Sequence, residues 1–204
     1  MLIGLTGPYC SGKNYIASLL EQKGFSVLDV DTLGHEAIRR EREAITARFG
    51  ADILAAGTGE IDRKLLGKKV FGNQRELVAL EAIVHPVANA LTSEWIAARR
   101  GKNCVINAAL LHRSVAFERL DAIIIVKAGF LTRLIRARKR DRLPWLDLIK
   151  RFRSQNDFSS QYVQHIQNSQ KNADKKNSIY IINNTGRNLQ KQLDGVVRSL
   201  IKEI

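Results

Sequence analysis

Near the start of the chain, glycines and one lysine stand at the spacing of a phosphate cradle. In LTGPYCSGKNYIA, residues 5–17, Gly7, Gly12 and Lys13 match G-x-x-x-x-G-K-[S/T] up to its last letter, where Asn14 replaces the hydroxyl residue. Such a loop works because backbone N–H groups at a helix N-terminus curl around phosphate oxygens while the lysine reaches the β- and γ-phosphates. Gly7, Pro8, Tyr9, Cys10, Ser11, Gly12, Lys13, Asn14 and Tyr15 are therefore the candidate nucleotide-binding residues. The bland alternative is a plain strand-to-helix turn with Lys13 as a surface charge. Pro8 stiffens the loop and removes one N–H. The hydroxyl missing at Asn14 usually binds Mg²⁺, a hard cation that prefers oxygen. An amide oxygen can take its place, either directly or through a water.

A second group with chemical potential is the pair Asp29 and Asp31 in FSVLDVD. Read as a strand, this segment turns both carboxylates to one face at its carboxyl end, because strand side chains repeat every two residues. A carboxylate beside a γ-phosphate can orient or deprotonate an attacking hydroxyl, or hold a metal through water. The competing reading is that Asp29 simply caps the following helix.

The elements that must position these groups alternate. LIGLTG reads as a buried strand, and the helix after the loop carries Ile16, Leu19, Leu20 and Lys23 at helical spacing before a stop at Gly24. NCVINAAL, DAIIIVKA and SIYIINNTG are three further β-rich runs, which with FSVLDVD make five. Strands alternating with helices predict an α/β fold: a parallel sheet with helices on both faces and ligands at the carboxyl ends of its strands. Residues 34–100 read as helical without a convincing strand, with a turn at AAGTGEIDR and a helix beginning at Pro86. Residues 129–155 read as a basic helical appendage with a kink or helix start at Pro144, and 161–178 as a polar segment outside the core. The expected division is thus a core of 1–33, 101–128 and 156–204, a helical substrate region at 34–100, and a lid at 129–155.

At 204 residues, 45% hydrophobic and 26% charged, the chain falls in the globular range. No apolar run approaches the roughly 20 residues needed to span a bilayer, and the apolar N-terminus lacks a basic leader, so a cytoplasmic protein without membrane association is expected. Cys10 and Cys104 have no partners at metal-ligand spacing and are expected to be reduced thiols. The net charge is +13, and residues 127–153 hold ten Lys or Arg against two Asp. Such a patch attracts nucleotides, nucleic acids and acidic membranes alike, so charge alone does not select a partner.

Taken together, these phrases resemble the dephospho-CoA kinase family. The family loop G-x-T-G-G-x-x-S-G-K-S is answered by GLTGPYCSGKN, and its D-A-D strand end by DVD at 29–31. TGEIDRKLLGKKVF and LEAIVHP echo its substrate-side phrases, and VKAGFLTRLIRARKRD runs without a gap onto its lid pattern, placing Arg136 and Arg140 on the lid arginines. A later family glutamine falls on Gln155, and the I-D-N-x-G strand end on INNTG.

The resemblance implies a P-loop kinase fold and transfer of phosphate from ATP, with Mg²⁺, to the ribose 3′-hydroxyl of dephospho-CoA, giving coenzyme A. It implies that Asp31 is the catalytic base, that Lys13 and the loop hold the phosphates, and that Arg140 closes over them together with Arg136. Asp31, His35, Arg63 and His85 fall in the substrate pocket, with helix capping as the alternative for His85. The implied partners are small molecules, with no specific nucleic acid and a monomer or weak homo-oligomer. Departures cluster near the site: Pro8, Cys10 and Asn14 in the loop, Ala109 and Arg113 where the family has proline and glutamate, and Lys127 and Arg133 where it has aspartate and glutamine. They leave two alternatives open: a kinase for another nucleotide-like alcohol, or a weakened relative that only binds nucleotide or nucleic acid.

Overall fold

The computed structural model describes residues 1–145, 148, 149, 152, 178–186 and 188–202. The expectations for Gln155 and for residues 161–177 fall outside these residues. The chain divides into two compact units, residues 1–28 with 99–204, and residues 29–98.

In the first unit the strands are β1 (Leu2–Thr6), β2 (Ser26–Asp29, whose last residue enters the second unit), β3 (Cys104–Asn107), β4 (Ala122–Lys127) and β5 (Ser178–Asn183). They form one parallel sheet in the order β2-β3-β1-β4-β5. β1 lies in the middle and pairs with β3 from Leu2↔Cys104 to Leu5↔Asn107 and with β4 from Ile3↔Ala122 to Thr6↔Ile125. Every residue of β1 and β3 is buried, which is why both read as continuous apolar runs rather than alternating ones.

One face of the sheet is covered by α1 (Lys13–Gln22) and α7 (Leu189–Lys202). Ile16, Leu19 and Leu20 of α1 and Leu193 and Leu200 of α7 pack with Ile3, Leu5, Val105, Ile124 and Val126. Gly24, with φ 86°, ends α1 as expected, and Lys23 turns out to pair with Asp194 at 2.5 Å. On the other face of β1, a Cβ on Gly4 would come within 2.4 Å of Leu111 Cδ2 and 2.8 Å of Leu120 Cδ1. Both leucines belong to the β3–β4 connection, which is built of short 3₁₀ turns at Leu111–Arg113 and Phe117–Arg119. After β4, α6 (Phe130–Asp141) carries the basic segment and ends at Arg142 in the left-handed conformation. The amide of Leu148 donates to Pro144 O at 3.1 Å, so Pro144 opens a helical turn, the second of its two expected roles.

The second unit contains α2 (Val30–Arg40), α3 (Arg42–Phe49), α4 (Arg63–Val70) and α5 (Gln74–Ala97) around Ala37, Ile45, Phe49, Ile53, Leu66, Val70 and Val84. Its only β pairing among the described residues is the isolated antiparallel bridge Leu54↔Ile61, which closes the turn at AAGTGEIDR. Pro86 does not begin a helix, because α5 runs through it. Leu77, Leu80, Ile83, Val84, Val87 and Ala88 form one apolar stripe on both sides of the proline, and burying that stripe outweighs the missing N–H. Pro86 and Ala82, whose carbonyl loses its helical donor, both face solvent, where water can replace the lost bond. His85 accordingly lies in mid-helix and exposed, which removes the capping alternative.

Gly4→Ala should destabilise the protein by about 1–3 kcal/mol, since its methyl would intrude on two fully buried leucines. Denaturant melting checks this, and an unchanged midpoint would show that the β3–β4 connection yields freely.

Candidate active site

The glycine loop begins where β1 ends. A Cβ on Gly7 would lie 2.4 Å from the carbonyl oxygen of Val126 and 2.7 Å from Ser11 Oγ, so only glycine lets the chain pass this close to β4. Ser11 N–H donates to Pro8 O at 3.0 Å, which turns the loop back on itself, and Cys10 sits at φ 57° within that turn. Gly12 precedes α1 at φ 93°, and its carbonyl accepts from Tyr15 and Ile16 N–H. Lys13 and Asn14 are therefore the first residues of the helix, as an anion cradle at a helix N-terminus requires.

Two side chains from distant parts of the same unit hold the loop by one carbonyl. Arg136 Nη1 donates to Ser11 O at 3.1 Å, and Asn184 Nδ2 donates to it at 2.9 Å. Arg136 Nη2 also donates to Asn184 O at 2.9 Å, so the two clamps brace each other. A Cβ on Gly12 would lie 2.1 Å from Asn184 Nδ2, which gives the second glycine a steric reason in addition to its positive φ. Asn184 is 7% exposed, and its own N–H donates to Lys127 O at 2.7 Å. The family asparagine of the I-D-N-x-G phrase thus has a structural task that reading the sequence did not assign to it. Its signal was a polar pair directly after an apolar strand.

Asn14 is exposed, and its Oδ1 accepts from Lys13 Nζ at 3.2 Å and from Asn107 Nδ2 at 3.1 Å. Asn107, the last residue of β3, is 1% exposed, and its Oδ1 has no hydrogen-bond partner among the described residues. Sequence reading missed it because INAAL showed a strand without marking its last residue. Neutral amide oxygens of this kind suit a hard cation through its bound waters. Among the described residues no three His, Cys, Asp or Glu side chains gather as around a bare metal ion.

Tyr9 and Cys10 face α6 and the turn after it. The Tyr9 ring meets Phe152 edge-on at 5.5 Å, its hydroxyl donates to Asp141 Oδ2, and Arg140 Cζ lies 4.8 Å from the ring centroid. Arg140 itself is exposed and pairs with Asp141 Oδ1 through Nε at 2.7 Å. Arg133, in place of the family glutamine, is 7% exposed and stacks over Phe152 at 4.9 Å, while its Nε and Nη2 lack hydrogen-bond partners among the described residues. Burial holds its pKa below the usual guanidinium range. The Cys10 thiol is pushed up by burial, and the cations Arg140, Arg133 and Arg136 oppose that shift. Both cysteines are free thiols, as expected. Of the other departures, Arg113 and Lys127 are exposed, and Ala109 O accepts from Thr6 Oγ1 at 3.3 Å.

In the second unit, Asp29 and Asp31 do not share a strand face. β2 ends at Asp29, which caps α2 by accepting Asp31 N–H on Oδ1 at 3.0 Å, and Asp31 stands exposed in the first helical turn. An Asp side chain satisfies a helix-start N–H better than a strand continuation would, and a second carboxylate is favoured at the positive end of the helix. Asp29 therefore has the capping role, while Asp31 projects from the helix start. His35 Nε2 and Arg63 Nη1 lie 2.7 Å apart, so the structure brings two of the four expected substrate-side residues together, with Asp62 capping α4 beside them. His85 projects from α5 into solvent.

The dephospho-CoA kinase family model matches residues 1–164. The chain is 33% identical over 171 residues to the dephospho-CoA kinase of Treponema denticola, covering 79% of this chain and 77% of that one. It is 40% identical over 147 residues to that of Geobacter metallireducens, covering 69% and 73% respectively. Among solved structures, TT1252 from Thermus thermophilus superposes with a TM-score of 0.79 at 26% identity, covering 100% of this chain and 97% of that one. The dephospho-CoA kinase from Campylobacter jejuni shares the fold, with a TM-score of 0.61 at 23% identity and coverage of 97% and 96%.

Arg133→Met should raise thermal stability, on the order of 1 kcal/mol, because it replaces a buried charge, two of whose nitrogens lack hydrogen-bond partners among the described residues, with an apolar chain. Calorimetric melting reads this. A clear loss of stability would mean that the stack on Phe152 outweighs the desolvation.

Proposed function

The chain belongs to the dephospho-CoA kinase family, and on that premise we propose how its residues divide the work of phosphoryl transfer. The enzyme is a kinase that converts dephospho-CoA to coenzyme A with ATP as phosphoryl donor. The observation that carries the assignment of roles is the clamped loop: Ser11 O is bound by both Arg136 and Asn184, and the loop runs directly into the N-terminus of α1, where an anion is favoured. Lys13 and residues 7–15 hold the ATP phosphates. Asp31, standing at the start of α2, takes the proton of the ribose 3′-hydroxyl as that oxygen attacks the γ-phosphorus. Arg140 balances the charge that develops on the transferring group, and Arg136 supports it through the loop that it braces. His35 and Arg63, already in contact, serve the dephospho-CoA side together with His85.

Mg²⁺ would be held at Asn14 through a bound water, with Asn107 fixing the amide from behind. Asn14 Oδ1 already accepts from Lys13 Nζ and Asn107 Nδ2, so holding the ion, directly or through a water, would need one of these donors to give way. When bound, the ion would supply charge neutralisation for the transferring phosphoryl group. Among the described residues no helix is long and apolar enough to cross a membrane. A cytoplasmic monomer or weak homo-oligomer, with no specific nucleic-acid partner, fits this reading.

Purified protein given ATP, Mg²⁺ and dephospho-CoA should yield ADP and coenzyme A, and Asp31→Asn should slow turnover by roughly 10²- to 10⁴-fold while the fold is retained. An Asp31→Asn enzyme with unimpaired turnover would remove the proposed base. Asn14→Ser should lower the Mg²⁺ concentration needed for half-maximal rate, as a metal titration of both proteins reads. If the two titrations coincide, the missing hydroxyl does not limit metal handling.

A further inference from the structure

Arg140 is an exposed side chain on the last turn of α6, and an isolated exposed ion pair with its sequence neighbour Asp141 would hold it weakly. The structure adds a third partner. The Tyr9 ring lies under the guanidinium at 4.8 Å, and the Tyr9 hydroxyl donates to Asp141 Oδ2, the carboxylate that pairs with Arg140. Arg140 Nε donates to Asp141 Oδ1 at 2.7 Å and Nη2 to Oδ2 at 3.4 Å. These contacts use one edge and one face of the guanidinium, while Nη1 lies on the opposite edge. Tyr9 is itself fixed by its edge-on contact with the buried Phe152.

We infer that Tyr9, a residue of the phosphate loop, is a positioning residue for Arg140: with Asp141 it holds the guanidinium against the loop before nucleotide arrives and leaves the Nη1 edge for phosphoryl oxygens. This rests on the role proposed above for Arg140. A long arginine side chain searching many rotamers would lose that freedom during the reaction, and a side chain fixed beforehand avoids much of the loss. The aromatic face suits the task because it attracts the cation without neutralising it. The hydroxyl suits it because it orients the carboxylate from the loop side. The backbone of Tyr9 belongs to the phosphate cradle, while its side chain acts on the arginine.

The test is single-turnover phosphoryl transfer at saturating ATP-Mg²⁺ and dephospho-CoA, together with calorimetric binding of a non-hydrolysable ATP analogue and thermal melting of each variant. Tyr9→Leu should slow the chemical step by roughly 5- to 20-fold, the scale of a guanidinium–aromatic contact, with a smaller change in analogue affinity. Tyr9→Phe, which keeps the ring and loses the hydroxyl, should fall between wild type and Tyr9→Leu. In an Arg140→Ala background Tyr9→Leu should cost nothing further, because the group it positions is gone. A merely structural tyrosine would lower the melting temperature and the rate in both backgrounds alike, and that additive result overturns the inference. So does a Tyr9→Leu enzyme as fast as or faster than wild type. If Arg140→Ala alone retains full rate, the role of Arg140 fails first and the inference falls with it. A slow Arg140→Ala enzyme beside a fully active Tyr9→Leu enzyme sinks the inference alone.

Discussion

A loop that offers its N–H groups to an anion must place its carbonyls elsewhere, since a carbonyl turned inward would repel phosphate and a buried one without a donor is costly. Here the carbonyl at issue is that of Ser11, and it accepts from both Arg136 and Asn184. These two bonds link the end of β1, the middle of α6 and the turn after β5. The sheet order makes the link possible, because β1 is flanked by β4 and β4 by β5, so the turn after the last strand comes within reach of the first loop. The glycine at position 12 follows from the same constraint, as a side chain there would displace the asparagine amide.

The second constraint is electrostatic. Arg133, Arg136 and Arg140 recur every three or four residues along α6, which puts them on one side of the helix. Their environments then separate them: Arg133 is buried against Phe152, Arg136 is bonded to loop carbonyls, and Arg140 is exposed on the Tyr9 ring. A cluster of like charges is tolerable in such a place because the intended guest is a polyanion. The same cations oppose the effect of burial on the Cys10 thiol, though burial prevails.

Much of this was legible in the sequence where the signal was local. Gly7, Gly12 and Lys13 declare the loop because close approach and helix-start geometry are decided within seven residues, and the apolar runs declare the strands because a parallel sheet buries them on both faces. Where a residue could satisfy two local rules, the reading of the pattern went astray. Asp29 and Asp31 fit strand alternation and also fit a helix cap, and the cap prevailed because helix-start amides need acceptors. Pro86 fits a helix start by type but lies inside an apolar stripe that continues past it, and the stripe prevailed. Asn107 and Asn184 were not legible as site residues, because their partners at Asn14 and Ser11 are 93 and 173 residues away and become neighbours only through the sheet.

That separation bears on how the enzyme comes into being. Asn184 reaches Ser11 only after β5 has paired with β4, and its own amide is tied to Lys127 at the end of that pairing. A growing chain emerges from its N-terminus and folds as contacts become available. The clamp lies 173 residues after the loop it holds, so during synthesis the loop exists for that whole interval without the Asn184 bond. A chain that stops short of β5 therefore has the glycines and the lysine of the loop without the asparagine that braces it.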